Sequence, residues 1–137
     1  AAGLPPGEGE IMDQMLIDYE DYIKAGFRSD AAYASVFGQS AAEELKQLWD
    51  FSREMTARIT WKPYMFNRRL APLLREVTTP TLLVWGSEDV IVPPICGRQY
   101  KAALPNARLE IIEGAGHLVE FEEAERLVSL IREHATP

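Results

Sequence analysis

The fold is decided by Thr81-Leu-Leu-Val-Trp-Gly86-Ser-Glu-Asp89-Val-Ile-Val-Pro93, in the second half of the chain. Its first six residues form a short apolar run, which is typical of a strand buried on both faces of a parallel sheet. Pro80 precedes this run, as expected, because proline cannot sit within a central strand. Pro94 predicts the start of a helix, since the first helical turn needs no N–H group from proline. Asp89 therefore lies in a loop between a strand and a helix.

A second strand and a second helix follow. Residues 108 to 112 predict the strand, and residues 120 to 134 predict the helix, with Gly114-Ala-Gly-His117 as the loop between them. The side chains expected to face inward on this helix are Phe121, Leu127, Leu130 and Ile131. Strands connected through a helix are parallel with a right-handed crossover, and such sheets place their sites at the carboxyl ends of the strands. We therefore expect Asp89 and His117 to face the same crevice.

A carboxylate held near an imidazole is an arrangement suited to general base catalysis. The carboxylate fixes the tautomer of the ring and stabilises its protonated form, and a nucleophile then gives its proton to the histidine. The chain has two histidines. His134 falls in the last turn of the final helix, where a cation suits the helix dipole, and we expect it at the surface. His117 is therefore the candidate base and Asp89 its partner.

The first half of the chain is dominated by helix signals. Apolar residues spaced near 3.6 predict a helix over residues 8 to 25, which Gly26 would end. A short helix is expected from about Ala31 to Phe37. Ser40-Ala-Ala-Glu43 is a capping box that should open a long helix. A further helix should begin at Asn67.

The stretches around Asp89 and His117 resemble two loops of the α/β-hydrolase superfamily. In that family a strand ends in glycine, and the triad acid stands three residues later, before an apolar pair and a proline. Gly114-Ala-Gly-His117 with Glu122 five residues on is similar to the family's histidine loop. Ala124 departs from the pattern, since many relatives carry proline there, but this affects only the entry to the last helix.

The resemblance implies an α/β fold class, namely the C-terminal part of an α/β-hydrolase. A helical cap segment would cover residues 1–66. The C-terminal part of the core would cover residues 67–137 as a βαβα unit with parallel strands. The segment Trp61-Lys-Pro-Tyr-Met65 looks like part of the connection from the cap to the later strands. This boundary would divide the chain into two parts of similar length.

The resemblance also implies a reaction. Asp89 and His117 would be the acid and base of a catalytic triad that needs no metal or organic cofactor. The substrate would be a small apolar ester, lactone or similar acyl compound, although relatives also cleave carbon–carbon, epoxide and carbon–halogen bonds. A non-catalytic ligand-binding or interaction module on the same fold is the alternative, as is an inactive fragment.

The nucleophile of that family sits in a G-x-S-x-G turn ahead of the acid and the base, and this sequence contains no such motif. Gly38-Gln-Ser40-Ala-Ala42 comes closest, but the residues before it lack the apolar run of a buried strand. We therefore expect the nucleophile on an N-terminal half of the enzyme, and this chain alone to be inactive. Two parallel strands leave open sheet edges, so stability should depend on that half or on self-association through the open edge.

Several other side chains are of types that could contribute to a site. Five are candidates for the wall of a substrate pocket, although ordinary packing explains each about as well: Trp61, Tyr64, Met65, Ile91 and Leu118. Cys96 favours a buried apolar position, although a helix N-terminus can lower a thiol pKa. Glu88 is expected to be exposed rather than to act as the acid. An acidic set spreads around the first predicted helix with no histidine nearby, which favours a solvated face over a metal site: Glu8, Glu10, Asp13, Asp18, Glu20 and Asp21.

Composition excludes several classes of protein. The 137 residues include 21 acidic and 14 basic side chains, a net charge of -7, which argues against nucleic-acid binding. One cysteine cannot form an internal disulfide, which suits a reducing cytoplasm. No stretch approaches the ~20 continuous apolar residues of a membrane span. We expect a cytoplasmic globular protein whose partners are a small-molecule substrate and the missing half, without nucleic acid or membrane.

Overall fold

The computed structural model describes residues 11–60 and 69–136. Its elements are α1 (Tyr19–Ala25), α2 (Asp30–Phe37), α3 (Glu43–Thr60), α4 (Leu70–Leu74), β1 (Thr81–Gly86), α5 (Pro94–Ala103), β2 (Ala107–Ile112), α6 (Val119–Glu122) and α7 (Ala124–Ala135). Helices fill the first part, and strands alternate with helices in the second. The α/β fold class is therefore confirmed.

The two strands form the predicted parallel pair. They run in register from Thr81 opposite Ala107 to Gly86 opposite Ile112, and α5 crosses between them and packs against both. The predicted burial on both faces is wrong within the described residues, because every residue of β1 except Gly86 is partly exposed. Among those residues, β2 is the one strand that pairs with β1. The other edge of β1 is therefore open in the described part of the chain.

The core lies beside the loop that carries Asp89. Ile91, Val92 and Cys96 are almost completely buried. Partly buried side chains pack against them: Met12, Tyr22, Ala25, Trp85 and Ile95. The backbone N–H of Met12 donates to the carbonyl oxygen of Ile91 at 3.1 Å, which joins the start of the described chain to this loop. The buried position expected for Cys96 is confirmed.

The helix predicted over residues 8 to 25 is wrong for residues 11–18, and residues 8–10 lie outside the described residues. Residues 11–18 form turns and bends, and α1 begins only at Tyr19. Asp18 causes this start, because its carboxylate accepts hydrogen bonds from two backbone N–H groups of the first turn. Asp13 likewise accepts from a backbone N–H two residues on. Such local bonds offer the backbone an alternative to the helix.

The predicted capping box is also wrong. α3 begins at Glu43 rather than directly after Ser40, whose hydroxyl donates instead to Glu20 Oε1 at 2.8 Å. The same oxygen accepts from Tyr33 at 2.8 Å, and Lys46 Nζ lies 2.7 Å from Oε2. Hydrogen bonds from Lys46, Tyr33 and Ser40 lower the pKa of Glu20 to about 2. This Glu20 cluster (Glu20, Tyr33, Ser40 and Lys46) joins α1, α2 and α3.

The predicted final helix is two helices. The backbone of Glu123, with φ of −136° and ψ of 43°, breaks it between α6 and α7. Leu130 is fully buried, as predicted, and Leu127 is half-buried. Phe121 and Ile131 are 52% and 51% exposed, so the prediction that they are buried inward is wrong. The Phe121 ring nevertheless contacts the rings of Phe27 and Phe37, at 6.2 Å and 6.4 Å between centroids, so the described part of the chain covers it on one side.

Some predictions fall on residues 61–68, outside the described residues. They include the helix start at Asn67 and the boundary between cap and core near residue 66. Leu70–Leu74 forms the helix expected after them. The first two members of the acidic set, Glu8 and Glu10, lie outside the described residues as well. No helix in the described ranges is long and apolar enough to span a membrane.

Candidate active site

Asp89 is fixed in the loop between β1 and α5. Its Oδ1 atom accepts hydrogen bonds from the backbone N–H groups of Ile91, at 3.0 Å, and Val92, at 2.8 Å. Aspartate commonly makes such bonds to backbone groups a few residues on in a turn. The side chain is 4% exposed. The carboxylate therefore has a defined orientation, with Oδ2 directed to another partner. Glu88 beside it is exposed, as predicted.

That partner is the imidazole of His117. Asp89 Oδ2 lies 2.8 Å from His117 Nδ1, and the histidine side chain is 31% exposed. Since Nδ1 is engaged by the carboxylate, Nε2 is the ring nitrogen available to exchange a proton with another group. The structure thus brings together the two residues that the strand connectivity predicted to share one crevice.

Buried Cys96 and partly buried Tyr22, both near Asp89, stay uncharged at neutral pH. Burial raises the pKa of the Cys96 thiol, and the charge of Asp89 adds to the effect. Burial also raises the pKa of Tyr22 to about 12, with further contributions from Tyr19, Asp89 and Asp13. Neither group therefore introduces a second charge beside the Asp89–His117 pair. The reactive-thiol interpretation of Cys96 is correspondingly disfavoured, because the thiolate is the reactive form.

The acid loop and the histidine loop touch through their backbones. A Cβ atom on Gly86 would lie 2.1 Å from the carbonyl oxygen of Gly116 and 2.2 Å from that of Ala115. The backbone N–H of Glu88 donates to the same Ala115 oxygen at 2.9 Å. Glycine is therefore required where β1 ends, and it permits the approach that brings the carboxylate to the imidazole.

The histidine loop also contacts the junction between α1 and α2, residues 26–29. The carbonyl oxygen of Gly26 accepts from the backbone N–H groups of His117, at 2.7 Å, and Leu118, at 3.2 Å. A Cβ atom on Gly116 would lie 2.7 Å from that oxygen, so the two segments are in direct contact. Sequence reasoning missed this contact, because Gly26 signalled only a helix end.

Glu122 joins the same two segments. Its Oε2 accepts from the backbone N–H of Gly116 at 2.6 Å, and its Oε1 accepts from that of Arg28 at 2.5 Å. The sequence indicated Glu122 only as part of the histidine motif and gave no sign of the second partner. Residues in the first half of the chain therefore help to hold the loop that carries His117.

The candidate pocket residues are only partly described. Ile91 is 1% exposed and belongs to the core beside the acid loop, whereas Leu118 is half-buried next to His117. The other three, Trp61, Tyr64 and Met65, lie outside the described residues. The pocket wall therefore stays a prediction.

Other candidate groups are occupied or remote. The Ser40 hydroxyl belongs to the Glu20 cluster, and His134 is exposed on α7, as predicted. Asp18 caps α1, and Glu20 binds the side chains of the Glu20 cluster. Within residues 11–60 and 69–136, no group of three or more histidine, cysteine or acidic residues could hold a metal ion.

Comparison with known proteins extends these observations. A family model described as alpha/beta hydrolase fold matches residues 5–124. A 2-hydroxy-6-oxononadienedioate/2-hydroxy-6-oxononatrienedioate hydrolase of Paraburkholderia xenovorans is 35% identical over 69 residues, 50% of this chain and 24% of that protein. A 2-hydroxy-6-oxononadienedioate/2-hydroxy-6-oxononatrienedioate hydrolase 2 of Pseudomonas putida is 38% identical over 66 residues, 48% of this chain and 22% of that protein.

A solved structure shows the same fold. An alpha/beta fold family hydrolase from Bacillus anthracis str. Sterne superimposes with a TM-score of 0.58 at 19% sequence identity. The match covers 85% of this chain and 39% of that structure. This chain thus spans less than half of the length of the relatives that it matches.

Proposed function

Because the chain belongs to the α/β-hydrolase fold family, we propose that it supplies the acid and base of a hydrolytic nucleophile–histidine–acid triad. The observation that carries the proposal is the 2.8 Å contact between Asp89 Oδ2 and His117 Nδ1. The other oxygen of Asp89 is held by two backbone N–H groups, so the carboxylate cannot turn away without losing both bonds.

The proposed mechanism follows from this orientation. His117 Nε2 takes the proton of the nucleophile as that group attacks the carbonyl carbon of the substrate. Asp89 stabilises the imidazolium that forms and keeps the proton on Nδ1. The imidazolium then gives its Nε2 proton to the leaving group. In the second half-reaction the same nitrogen takes a proton from the water that attacks the acyl carbon, and returns it to the nucleophile as the bond between that carbon and the nucleophile breaks.

We place the nucleophile on a segment of the complete enzyme ahead of Ala1. The 137 residues contain no G-x-S-x-G turn, and relatives are more than twice as long as the part that matches this chain. This chain alone should therefore be inactive. In the complete enzyme the open edge of β1 would be covered by the rest of the sheet. Self-association through that edge is the alternative for the isolated chain.

The proposed substrate is a small apolar ester, lactone or similar acyl compound. Half-buried Leu118 beside His117 would form part of the pocket wall, together with Trp61, Tyr64 and Met65, whereas buried Ile91 would support the wall from the core. A cytoplasmic location accords with the single buried thiol of Cys96. The proposed mechanism requires no metal or organic cofactor, since the histidine activates the nucleophile directly.

A second candidate is hydrolysis of a carbon–carbon bond next to a ketone. It is favoured by the two relatives of 35% and 38% identity, both of which carry the name of a 2-hydroxy-6-oxononadienedioate hydrolase. In that reaction the leaving group is a carbon atom, which needs a proton as the bond breaks. The two candidates can be separated by comparing kcat/KM for a short apolar ester with that for a 2-hydroxy-6-oxodienoate.

The test is His117→Ala in the complete enzyme. Removing the base should lower kcat by about 10³-fold or more on whichever substrate is turned over. His134→Ala is the matched control, because His134 is exposed on α7, and its kcat/KM should stay within about twofold of the wild type. Unchanged turnover in the His117 variant would contradict the role proposed for His117, whereas a binding module predicts no turnover by the wild type either.

A further inference from the structure

We propose that Glu122 is a positioning residue for His117. Its carboxylate holds the histidine loop against the α1–α2 junction and thereby keeps the imidazole in register with Asp89 for proton transfer. The inference rests on the proposed function of His117 and names a residue that acts through it. Glu122 itself need not touch the substrate.

Both oxygens of the Glu122 carboxylate accept hydrogen bonds from backbone N–H groups outside its own helix. One oxygen accepts from Gly116 N–H at 2.6 Å and the other from Arg28 N–H at 2.5 Å. These donors lie 88 residues apart in the sequence and belong to different segments. Bonds from backbone N–H groups to a carboxylate are shorter and stronger than those between neutral groups. A single side chain thus links the two segments a second time, beside the direct backbone contact at Gly26.

The position of these bonds explains why they should matter for His117. Gly116 directly precedes the histidine, and the next backbone N–H, that of His117 itself, donates to Gly26 at 2.7 Å. Consecutive peptide units are therefore held by acceptors from Glu122 and from the α1–α2 junction. The main chain cannot retreat, because Gly116 already sits against the backbone of Gly26 and Arg28.

We expect loss of one of these bonds to let the histidine loop shift away from the α1–α2 junction. The contact between Asp89 Oδ2 and His117 Nδ1 is 2.8 Å, and hydrogen bonds weaken steeply as distance and angle depart from their optimum. Misplacement of a catalytic group by about 1 Å can cost on the order of 10²-fold in rate. A positioning role therefore predicts an effect on kcat rather than on substrate binding.

Neighbouring acidic residues separate this role from a general effect of charge. Glu120 lies on the same short helix and is exposed. Glu123 pairs with the Arg28 guanidinium at 2.8 Å on a partly exposed surface. Of the three, Glu122 is the residue whose carboxylate binds the backbone of the histidine loop. Glu120→Gln is therefore a control that removes the same charge from the same helix.

The experiment compares Glu122→Gln with Glu120→Gln in the complete enzyme. Glutamine keeps the size of glutamate, but its NH₂ group must face one of the two backbone N–H donors, so one bond is lost. We expect kcat to fall about tenfold for Glu122→Gln, with KM within about twofold, and no change for Glu120→Gln. The proton resonance of His117 Nδ1–H should broaden or shift in the Glu122 variant alone.

Several outcomes would overturn the inference. They are equal kcat values for the two variants, a rise in KM at constant kcat, or an unchanged Nδ1–H resonance in a slowed Glu122 variant. If Glu122→Gln does not fold, amide hydrogen exchange of the wild type decides, because Gly116 and Arg28 must be strongly protected and fast exchange at either rules the clamp out. If His117→Ala loses activity and Glu122→Gln keeps the activity of the wild type, this inference is rejected and the proposed function is retained.

Discussion

Different kinds of contact stabilise the helical segment, residues 11–60, and the strand–helix unit, residues 81–136, each within itself. In the strand–helix unit, backbone meets backbone, through the parallel register of β1 and β2 and through the approach of Gly86 to the histidine loop. In the helical segment, side chains join the helices, through the Glu20 cluster and a set of aromatic rings. The limits of β1 and the start of α5 are marked locally, by proline and glycine, whereas the side-chain contacts between the helices depend on partners distant in the sequence.

The aromatic contacts illustrate the second kind. Phe37 on α2 packs edge-on against Phe27, at 6.0 Å between ring centroids, and against Trp49 on α3, at 5.3 Å. The far side of α3 is apolar but more exposed, and it carries Leu48, Phe51, Met55 and Ile59. The helices are thus positioned by a few side-chain contacts rather than by a closed core. Substitutions in the two regions should therefore have different consequences.

The largest difference is expected for glycine substitutions. Gly86→Ala should lower the free energy of unfolding of the complete enzyme by about 3–5 kcal/mol, because the new Cβ would overlap backbone atoms that cannot rotate away. Gly38→Ala in the helical segment meets no atom within 4 Å, although its φ of +74° should cost about 1–2 kcal/mol. Urea denaturation of both variants measures their free energies of unfolding. Equal losses in the two variants would contradict the expected difference between the two regions.

The next prediction concerns the Glu20 cluster. Glu20→Gln should lower the free energy of unfolding by about 2 kcal/mol at neutral pH, since the charged bond to Lys46 is lost. Glu54→Gln is the control, because the Glu54–Arg58 ion pair is exposed and should contribute about 0.5 kcal/mol or less. Similar losses in the two variants would show that the cluster does not organise the helices.

The pH dependence of stability provides a second test of the Glu20 cluster. The pKa of Glu20 is lowered from 4.5 to about 2 by its hydrogen bonds, so the folded state binds the proton less readily than the unfolded chain. The stability that Glu20 contributes is therefore present above pH ~4.5 and is lost as the pH falls through about 2. The difference between wild type and Glu20→Gln should shrink over this interval. A difference that stays constant down to pH 2 would contradict the assignment.

The smallest effect is expected for tryptophan. Trp85 Nε1 donates to the carbonyl oxygen of buried Val92 at 2.8 Å, so Trp85→Phe leaves that acceptor unsatisfied and should cost about 1 kcal/mol beyond the change in packing. Trp49→Phe keeps the edge-on contact with Phe37 and should cost less. Circular dichroism during denaturation measures both. A larger loss at Trp49 would reverse the comparison.

These contrasts explain what the sequence could predict of the fold. Pro80 and Pro94 marked the start of β1 and of α5, because proline fixes φ and lacks a backbone N–H, and Gly86 marked the end of β1, because glycine permits a close approach of another backbone. The start of α1 was predicted too early, since the capping bonds of Asp18 compete with the periodicity of apolar residues. Ser40 looked like a helix cap but binds Glu20, which lies 20 residues away. No local pattern could have shown that partner.

The candidate site also has parts that the sequence predicted and parts that it did not. Strand connectivity was enough to bring Asp89 and His117 together, because both follow parallel strands at the same edge of the sheet. The support behind His117 was missed, since it comes from Gly26 and Arg28 in the other half of the chain. The expected burial of Phe121 and Ile131 was wrong because periodicity cannot show which faces the described part of the chain covers.

The contact of Gly26 with the histidine loop has a consequence for protein engineering. Exchange of helical segments between relatives is a natural way to alter substrate preference, and the end of α1 would look like a convenient splice point. The carbonyl of Gly26 and the N–H of Arg28, however, serve the loop of His117 rather than their own helices. A chimera should therefore retain residues 26–28 from the parent that donates the histidine loop, and take foreign sequence only on either side of them.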